Sequence, residues 1–340
     1  MKNPSIVFTR VNTAELVTRD LPDEPGEGQV LVRTRFSTIS PGTERANVTG
    51  NPNVRGVREP DVSFPRQCGY STSGIVEKVG KGVESLIPGD PVTAFRTVHA
   101  AYNIVPEKNV IRIDPEKISF EEAAILYITT FPMAAVRKTR VEIGEPALVM
   151  GCGLLGQIAI KELRAAGAVP VVAADPVASR REIALASGAD YALDPTAHGF
   201  ASEVKRLTCG GAKAVIEVTG VGAGLDEALD ATARFGRVAL LGCTRSKEFT
   251  IDYYRKVHCP GITLIGAHND ARPETESRPG VFTTRDDIRA MLSLLENGRI
   301  SFASFPRAKY APAACGEAFT RLINDRDFPL ITQFDWDLDS

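Results

Sequence analysis

The sequence predicts an α/β protein in which a β-rich N-terminal part precedes a doubly wound parallel sheet. Short alternating segments separated by Gly and Pro fill roughly the first 120 residues, and further on apolar strands alternate with helices of about ten residues. The glycine-rich segment GCGLLG joins one such strand to one such helix. Strands that are apolar on both faces are typical of parallel sheets covered by helices on both sides.

The N-terminal strands are predicted where apolar and polar residues alternate between turn residues. They comprise residues 29–40, 73–80, 90–95 and 99–106. A helical region follows over 116–138, because dense apolar runs come after Ser119, whose side chain can cap a helix that begins with Glu121 and Glu122.

The second half of the chain alternates strands and helices. Buried strands are predicted at 146–150, 170–175, 213–220, 237–242 and 262–267, and helices at 158–167, 179–189 and 225–236. The tail adds helices over 285–301 and 314–325 and an edge strand over 329–337. This tail is too small to form a domain alone.

The alternation predicts where the domains begin and end. We expect a β-rich domain over residues 1–127, a dinucleotide-binding domain over 128–268, and a C-terminal segment over 269–340 that returns to the first domain.

Charge and cysteine usage exclude several classes of function. The chain has 40 Lys and Arg against 42 Asp and Glu, so no basic patch is expected for nucleic acid or an anionic membrane. No apolar run reaches the roughly 20 residues of a membrane span, and the N-terminus lacks a secretory signal. The six cysteines occur singly with no CxxC pair, which favours reduced thiols in a cytoplasmic protein.

A dinucleotide site is predicted where GCGLLG follows a buried strand and opens a helix. Gly151 permits the tight turn, Gly153 lets the backbone approach a pyrophosphate, and Gly156 lets helix and strand pack closely. Leu154 and Leu155 complete this loop.

The next predicted strand ends in Asp175, whose carboxylate can accept a hydrogen bond from a ribose 2′-hydroxyl and would repel a 2′-phosphate. NAD is therefore favoured over NADP, while Arg180 and its neighbour Arg181 could hold that phosphate instead.

Five motifs, in the order in which they occur along the chain, resemble those of the medium-chain dehydrogenase/reductase superfamily, of alcohol and polyol dehydrogenase type. They are GDPVTAF, TTFPMAA, VMGCGLLG, AADP and EVTG. The resemblance spans nearly the whole chain. It implies a GroES-like catalytic domain that the C-terminal segment rejoins, a Rossmann domain, and an active site in the cleft between them. We also expect a small-molecule substrate and a homodimer or homotetramer.

Zinc-bearing members of that family have a Cys in ICG(S/T)D, a His in GHE, and a third Cys or acid at the start of the interdomain helix. At these places the sequence has Ser40, Tyr70 and the neighbourhood of Leu126, none of which is an ordinary zinc ligand. Cys68 is a possible substitute ligand, but a packed core thiol is the more common role for such a residue. The sequence predicts an enzyme without zinc.

Without a metal, side chains must move the proton of the reacting hydroxyl group. Tyr70 replaces a residue that would face the substrate oxygen, His99 carries an imidazole, the side chain best suited to proton shuttling near neutral pH, and Thr43 matches a relay hydroxyl of zinc members. These three are the predicted catalytic residues, although each is equally compatible with a packing or turn role. Predicted substrate contacts are Ser40, Glu44, Arg96, Tyr127 and His268.

The resemblance also assigns cofactor contacts beyond the glycine loop, namely Thr130, Val218, Leu241 and Ala267. Polar groups near the expected cleft favour an NAD-dependent dehydrogenase that oxidises a secondary alcohol of a sugar, sugar derivative or cyclitol. A zinc-free quinone or enone reductase and a non-catalytic dinucleotide-binding protein are the alternatives.

Overall fold

The structure is a computed structural model, and it describes residues 1–51, 63–246 and 248–338. The chain divides into two units. The first comprises residues 1–128, 291–296 and 305–340, and the second comprises residues 129–290 and 297–304.

The first unit is built mainly of strands. Its strands are β1 (Lys2–Arg10), β2 (Thr13–Asp20), β3 (Gln29–Thr38), β4 (Arg66–Gln67), β5 (Ser71–Val79), β6 (Pro91–Phe95), β7 (Tyr102–Pro106), β8 (Val110–Arg112), β15 (Arg307–Tyr310) and β16 (Ile331–Asp335). Its helices are α1 (Pro41–Val48), α2 (Phe120–Ala123) and α9 (Cys315–Asn324). Helices α3 (Leu126–Thr139) and α8 (Thr284–Glu296) have residues in both units.

Two sheets form this unit. The larger has the strand order β15-β16-β3-β5-β6-β8, with β7 also paired to β3, and the smaller has the order β2-β1-β4. Fully buried aromatic side chains pack between β1, β16 and α9, and the ring centroids of Phe8 and Phe319 lie 4.8 Å apart, edge to face. The apolar faces of the alternating strands thus form one core.

The second unit alternates strands and helices. Its strands are β9 (Ala147–Met150), β10 (Val171–Ala174), β11 (Tyr191–Leu193), β12 (Ala212–Glu217), β13 (Thr232–Leu240) and β14 (Thr263–Gly266), and its helices are α4 (Leu154–Ala165), α5 (Ala178–Ala186), α6 (Phe200–Leu207) and α7 (Gly222–Ala231).

All pairs in its sheet, of order β11-β10-β9-β12-β13-β14, are parallel. Alternate residues of one strand enter two different cores: Val149 packs in one cluster and Leu148 in the other. The sheet is therefore covered on both faces, and the predicted α/β fold, with a GroES-like sheet domain and a Rossmann sheet, is confirmed.

Several predicted elements can be compared directly with the structure. The Ser119 cap is confirmed, because its side chain accepts a hydrogen bond from the Glu122 N–H. The helix predicted to reach residue 236 ends at Ala231, since Thr232 adopts an extended conformation and its hydroxyl donates to the Ala228 carbonyl at 2.6 Å. The predicted tail strand is not an edge strand: β16 pairs with both β3 and β15, and β15 itself was missed.

Within the described ranges, no helix has the length and apolar character needed to cross a membrane.

Candidate functional site

The loop after β9 requires glycine at two positions. Gly151 has a φ of 99°, in the left-handed region that favours glycine. A Cβ at Gly156 would lie 1.8 Å from the Gly151 carbonyl oxygen. Gly153 is the N-cap of α4 and supplies no capping side chain, so the N–H groups of the first turn, which contains Leu154 and Leu155, are suited to a phosphate.

Asp175 lies just beyond β10 and is almost fully buried. One carboxylate oxygen accepts from the Cys152 N–H at 2.8 Å and the other from the Val177 N–H at 2.9 Å. Each oxygen can accept a second hydrogen bond, which leaves capacity for a ribose hydroxyl. Arg180 Nη1 lies 3.8 Å from the same carboxylate. Asp175, whose carboxylate suits NAD, and Arg180, whose cation suits NADP, are thus neighbours.

The other predicted cofactor residues lie at strand ends or in α3. Val218, Leu241 and Ala267 follow β12, β13 and β14, so they share the carboxyl edge of the parallel sheet, where ligands of such folds bind. Thr130 is fully buried in α3, and its carbonyl accepts from the Arg272 guanidinium at 2.8 Å. The cofactor contacts themselves stay predictions.

In the first unit, a cluster of hydroxyl groups surrounds Tyr70. Burial raises the pKa of the Tyr70 phenol well above its ordinary value, and the nearby side chains of Ser40 and Thr43 oppose that rise. The Tyr127 ring meets Tyr70 edge to face, with centroids 5.5 Å apart, and stacks on Phe95. Tyr70 is therefore held as a neutral phenol beside two hydroxyl groups.

A chain of buried hydrogen bonds lies behind this cluster. The Trp336 indole donates to Ser37 Oγ at 2.9 Å, and Ser37 Oγ is 2.8 Å from His99 Nδ1. His99 Nε2 is 2.9 Å from Glu44 Oε2. Glu44 Oε1 accepts from the Ser40 N–H at 2.9 Å.

The Trp336 indole can only donate, so Ser37 Oγ accepts from it. An ionised Glu44 carboxylate can only accept, and in that bond Nε2 of His99 is the donor. The Ser37 hydroxyl can either donate to Nδ1 or accept from it, according to the protonation of the ring. His99 is fully buried, and both of its nitrogens have partners within the protein.

Arg96 and His268 are exposed, whereas the other predicted substrate contacts, Ser40, Glu44 and Tyr127, are buried. Arg96 lies in the turn after β6 with a φ of 57°. The predicted contact of Arg96 with substrate stays a prediction.

Comparisons with known proteins agree with this geometry. Two family profiles match: "Alcohol dehydrogenase GroES-like domain" over residues 26–115 and "Zinc-binding dehydrogenase" over residues 155–278. The L-threonine 3-dehydrogenase of Pyrococcus abyssi is 30% identical over 287 residues, which cover 74% of this chain and 79% of that protein. The chain belongs to the medium-chain dehydrogenase/reductase superfamily.

Further relatives place it on the alcohol and polyol dehydrogenase side of that superfamily. D-guloside 3-dehydrogenase of Escherichia coli is 28% identical over 212 residues, covering 62% of this chain and 61% of that one. The crystal structure of 2R,3R-butanediol dehydrogenase from Bacillus subtilis has the same fold, with a TM-score of 0.83 at 21% identity over 98% of this chain and 99% of that one. The protein is an NAD(P)-dependent oxidoreductase that acts on CH–OH groups.

In this dehydrogenase, three groups of metal-binding type meet away from the positions where the family's zinc ligands were expected. Ligand atoms of Glu44, Cys68 and His99 lie within 4.8 Å of one another, which makes this the one such cluster in the part of the chain that is described. The sequence reading considered Cys68 and His99 separately and missed the cluster.

The three side chains of this cluster are of types that bind zinc, so they could hold a zinc ion once Cys68 and His99 give up their protons. The Cys68 thiol donates to the Ile6 carbonyl at 3.8 Å, and burial, with the charge of Glu44, raises its pKa well above its usual value. Nε2 of His99 lies 2.9 Å from Glu44 Oε2.

The structure thus brings together six of the predicted residues in this unit of the dehydrogenase: Ser40, Thr43, Glu44, Tyr70, His99 and Tyr127. Ser37 and Trp336 were not predicted. They lie 299 positions apart in the sequence, and neither belongs to a recognisable motif.

Proposed function

We propose that this dehydrogenase works without zinc, uses NAD, and oxidises a secondary alcohol of a polyhydroxylated substrate to a ketone. A sugar, a sugar derivative or a cyclitol fits this class. The observation that supports the proposal best is the Tyr70 cluster, in which a buried neutral phenol close to the side chains of Ser40 and Thr43 stands where zinc-bearing relatives have a ligand.

The reaction moves a hydride from the carbinol carbon to the nicotinamide and releases the hydroxyl proton. In the reverse direction, Tyr70 donates its proton, or a hydrogen bond, to the carbonyl oxygen. Because the pKa of the phenol is raised, the phenolate that would accept a proton from the alcohol is scarce at neutral pH. We therefore infer that alcohol oxidation accelerates as the pH rises, with Ser40 and Thr43 relaying the proton.

Glu44 and His99 serve this cluster as positioning residues. The Glu44 carboxylate accepts a hydrogen bond from the backbone N–H of Ser40, and the same carboxylate is hydrogen-bonded to His99 Nε2. Since His99 is fully buried with both nitrogens bonded, this role suits it better than direct proton exchange with substrate. Direct exchange stays a prediction.

The substrate class is supported by the chemistry of the cluster and by the names of relatives. Hydroxyl and carboxylate groups match a ligand rich in hydroxyl groups better than an apolar one. The relatives include a D-guloside 3-dehydrogenase and a butanediol dehydrogenase. NAD is supported by Asp175. A homodimer or homotetramer, a cytoplasmic location and the domain boundaries given above remain part of the proposal.

A substrate panel with metal analysis tests the proposal. The protein is purified, its zinc content is measured, and reduction of NAD or NADP is followed with polyols, inositols and sugars, with and without chelator. We expect substoichiometric zinc, turnover that chelator leaves intact, and NAD preference. Stoichiometric zinc with activity lost on chelation would overturn the zinc-free mechanism, and equal use of NADP would overturn the preference for NAD. Activity only on quinones and enones would overturn the substrate class.

Tyr70→Phe tests the donor within the same assay. It removes the phenol and keeps the ring, so we expect kcat to fall about 100-fold while substrate KM changes little. Tyr102→Phe, in β7 of the same unit, is the control and should retain the parent rate. A fully active Tyr70→Phe variant would remove Tyr70 from the mechanism.

A further inference from the structure

A nearly buried arginine joins three parts of the second unit beside the carboxyl edge of its sheet. The side chain of Arg272 is 6% exposed. Its Nη2 donates to the Thr130 carbonyl in α3 at 2.8 Å, and its Nε donates to the Asn269 carbonyl at 3.1 Å. Its Nη1 donates to Asp287 and Thr284 of α8 at 3.2 Å and 3.4 Å. One guanidinium group thus connects α3, α8 and the segment that follows β14.

A lysine of α3 holds the same segment from the opposite direction. Lys138 Nζ donates to the Gly266 carbonyl at 2.8 Å and also to the Ala271 carbonyl. Gly266 is the last residue of β14, so Lys138 fixes both ends of the turn that follows the strand. Lys138 and Arg272, with the bonds they make to and from residues 266–272, are called the clasp below.

The acid of the clasp is completely buried. Asp287 is 0% exposed, and a second guanidinium, that of Arg137 in α3, lies 2.9 Å from its Oδ1. Burying such charges costs free energy, and apolar side chains of similar volume often stabilise a core as well. A planar guanidinium adds a fixed geometry, because its N–H groups need acceptors in set directions. The clasp is therefore better suited to fixing the position of the 266–272 segment than to adding stability.

The segment that the clasp holds lies where part of the cofactor is expected. It follows β14 at the carboxyl edge of the parallel sheet, the edge at which such folds bind ligands. It contains Ala267, whose N–H donates to the Leu240 carbonyl at 3.1 Å, and Arg272 bonds the carbonyl of Thr130. Ala267 and Thr130 are both predicted cofactor contacts. The clasp thus ties together two backbone stretches that the cofactor is expected to touch.

The other half of the dinucleotide site lies at a distance from the clasp. The glycine loop follows β9 and Asp175 follows β10, and β12 and β13 separate β9 from β14 in the sheet. Three strand spacings amount to about 14 Å. A change in the clasp should therefore be felt at one end of the cofactor and not at the other.

We propose that Arg272, assisted by Lys138, is a positioning residue for the nicotinamide half of the cofactor. Its hydrogen bonds hold the 266–272 segment and the Thr130 carbonyl at a fixed spacing, and the nicotinamide binds to the backbone so placed. The inference rests on the proposed use of NAD and on the contacts assigned to Thr130 and Ala267.

The test compares a ligand that carries nicotinamide with one that lacks it. NADH binding is titrated by fluorescence and ADP-ribose binding by calorimetry, for the parent and for Arg272→Met, which removes the donors and keeps a long side chain. We expect the Kd for NADH to rise about tenfold, the effect of losing about one hydrogen bond to the nicotinamide, and the Kd for ADP-ribose to stay within about twofold. Arg289→Met, at an exposed arginine of α8 that pairs with Asp286, is the control and should change neither Kd.

Lys138→Met decides the question if thermal melting shows that Arg272→Met does not fold, because it leaves the buried pair of Arg272 and Asp287 intact. It should raise the Kd for NADH about threefold, since one of the two holds on the segment is kept, and leave ADP-ribose binding unchanged. Equal loss of both ligands in a folded variant would show a general structural role and overturn the proposal, as would unchanged NADH binding.

The outcome for the parent separates this inference from the proposed cofactor. A parent that binds NADPH in place of NADH would refute the preference for NAD and leave the clasp standing. The same comparison is then made with NADPH against 2′-phospho-ADP-ribose, and the same two results would overturn the role of Arg272.

Discussion

Replacing Glu162 with glutamine should make the stability of this dehydrogenase less sensitive to pH. Glu162 lies in α4, its side chain is only 4% exposed, and neither carboxylate oxygen has a hydrogen-bond partner among the described residues. Burial raises the pKa of this carboxyl group well above its ordinary value; the charge of Asp287 adds to the rise and that of Arg137 opposes it. The folded protein therefore keeps Glu162 protonated after the unfolded chain has released the proton.

The sign and size follow from this difference in bound protons. Above the ordinary carboxyl pKa, the folded state holds one more proton than the unfolded state, so the free energy of unfolding falls as pH rises. The slope is about 1.4 kcal/mol per pH unit until the raised pKa is reached. For a domain of this size, that corresponds to a fall in Tm of about 4 °C per pH unit.

Thermal unfolding of parent and Glu162→Gln, measured at constant ionic strength from pH 5 to pH 7.5, checks this expectation. The Tm difference between variant and parent should grow in favour of the variant as pH rises. Glu203→Gln is the control, because Glu203 pairs with Arg206 at the surface and its pKa is lowered. Parallel Tm curves for parent and Glu162→Gln would refute the view that Glu162 is a buried neutral acid.

Three further predictions concern the dinucleotide site. Gly156→Ala should abolish NADH binding, measured by fluorescence, because the added Cβ would lie 1.8 Å from the Gly151 carbonyl oxygen. Gly153→Ala is the control: a Cβ at Gly153 meets open space, so this variant should stay folded and bind NADH within a few-fold of the parent. Asp175→Asn should weaken NADH binding about tenfold through loss of a charged acceptor, and an unchanged Kd would contradict the assigned ribose contact. Saturating NADH should slow iodoacetamide labelling of Cys243 if nicotinamide lies at the carboxyl edge of β13; equal rates with and without NADH would place it elsewhere.

The sequence was sufficient where the signal is local. The glycines of the dinucleotide loop act within six residues, and Asp175 follows the next strand, so spacing alone locates them. The same holds for Ser119, whose cap depends on a residue three positions away. Strand β15 escaped prediction because its four residues, RAKY, alternate too briefly to give a pattern.

Contacts between distant residues could not be predicted in this way. Glu162 lies in the amphipathic helix α4, and a charged residue there is expected on the solvent face. In the structure, however, packing buries it. Trp336 reaches Ser37 only because β16 pairs with β3, a pairing that the sequence does not encode in any short window. The tail strand was expected at an edge for the same reason.

Under the proposal that this dehydrogenase works without zinc, the buried network has to replace what a metal ion does in zinc-bearing relatives. A metal ion would stabilise the substrate oxygen with a positive charge, which needs ligands that have lost their protons. In the Tyr70 cluster the groups keep their protons: the phenol is neutral, and His99 donates to Glu44. Under the proposed function, the donors and acceptors from Trp336 to Ser40 pair with one another and support the Tyr70 cluster. Such a set can offer the substrate oxygen a hydrogen bond, and this is the chemistry that a metal-independent dehydrogenase requires.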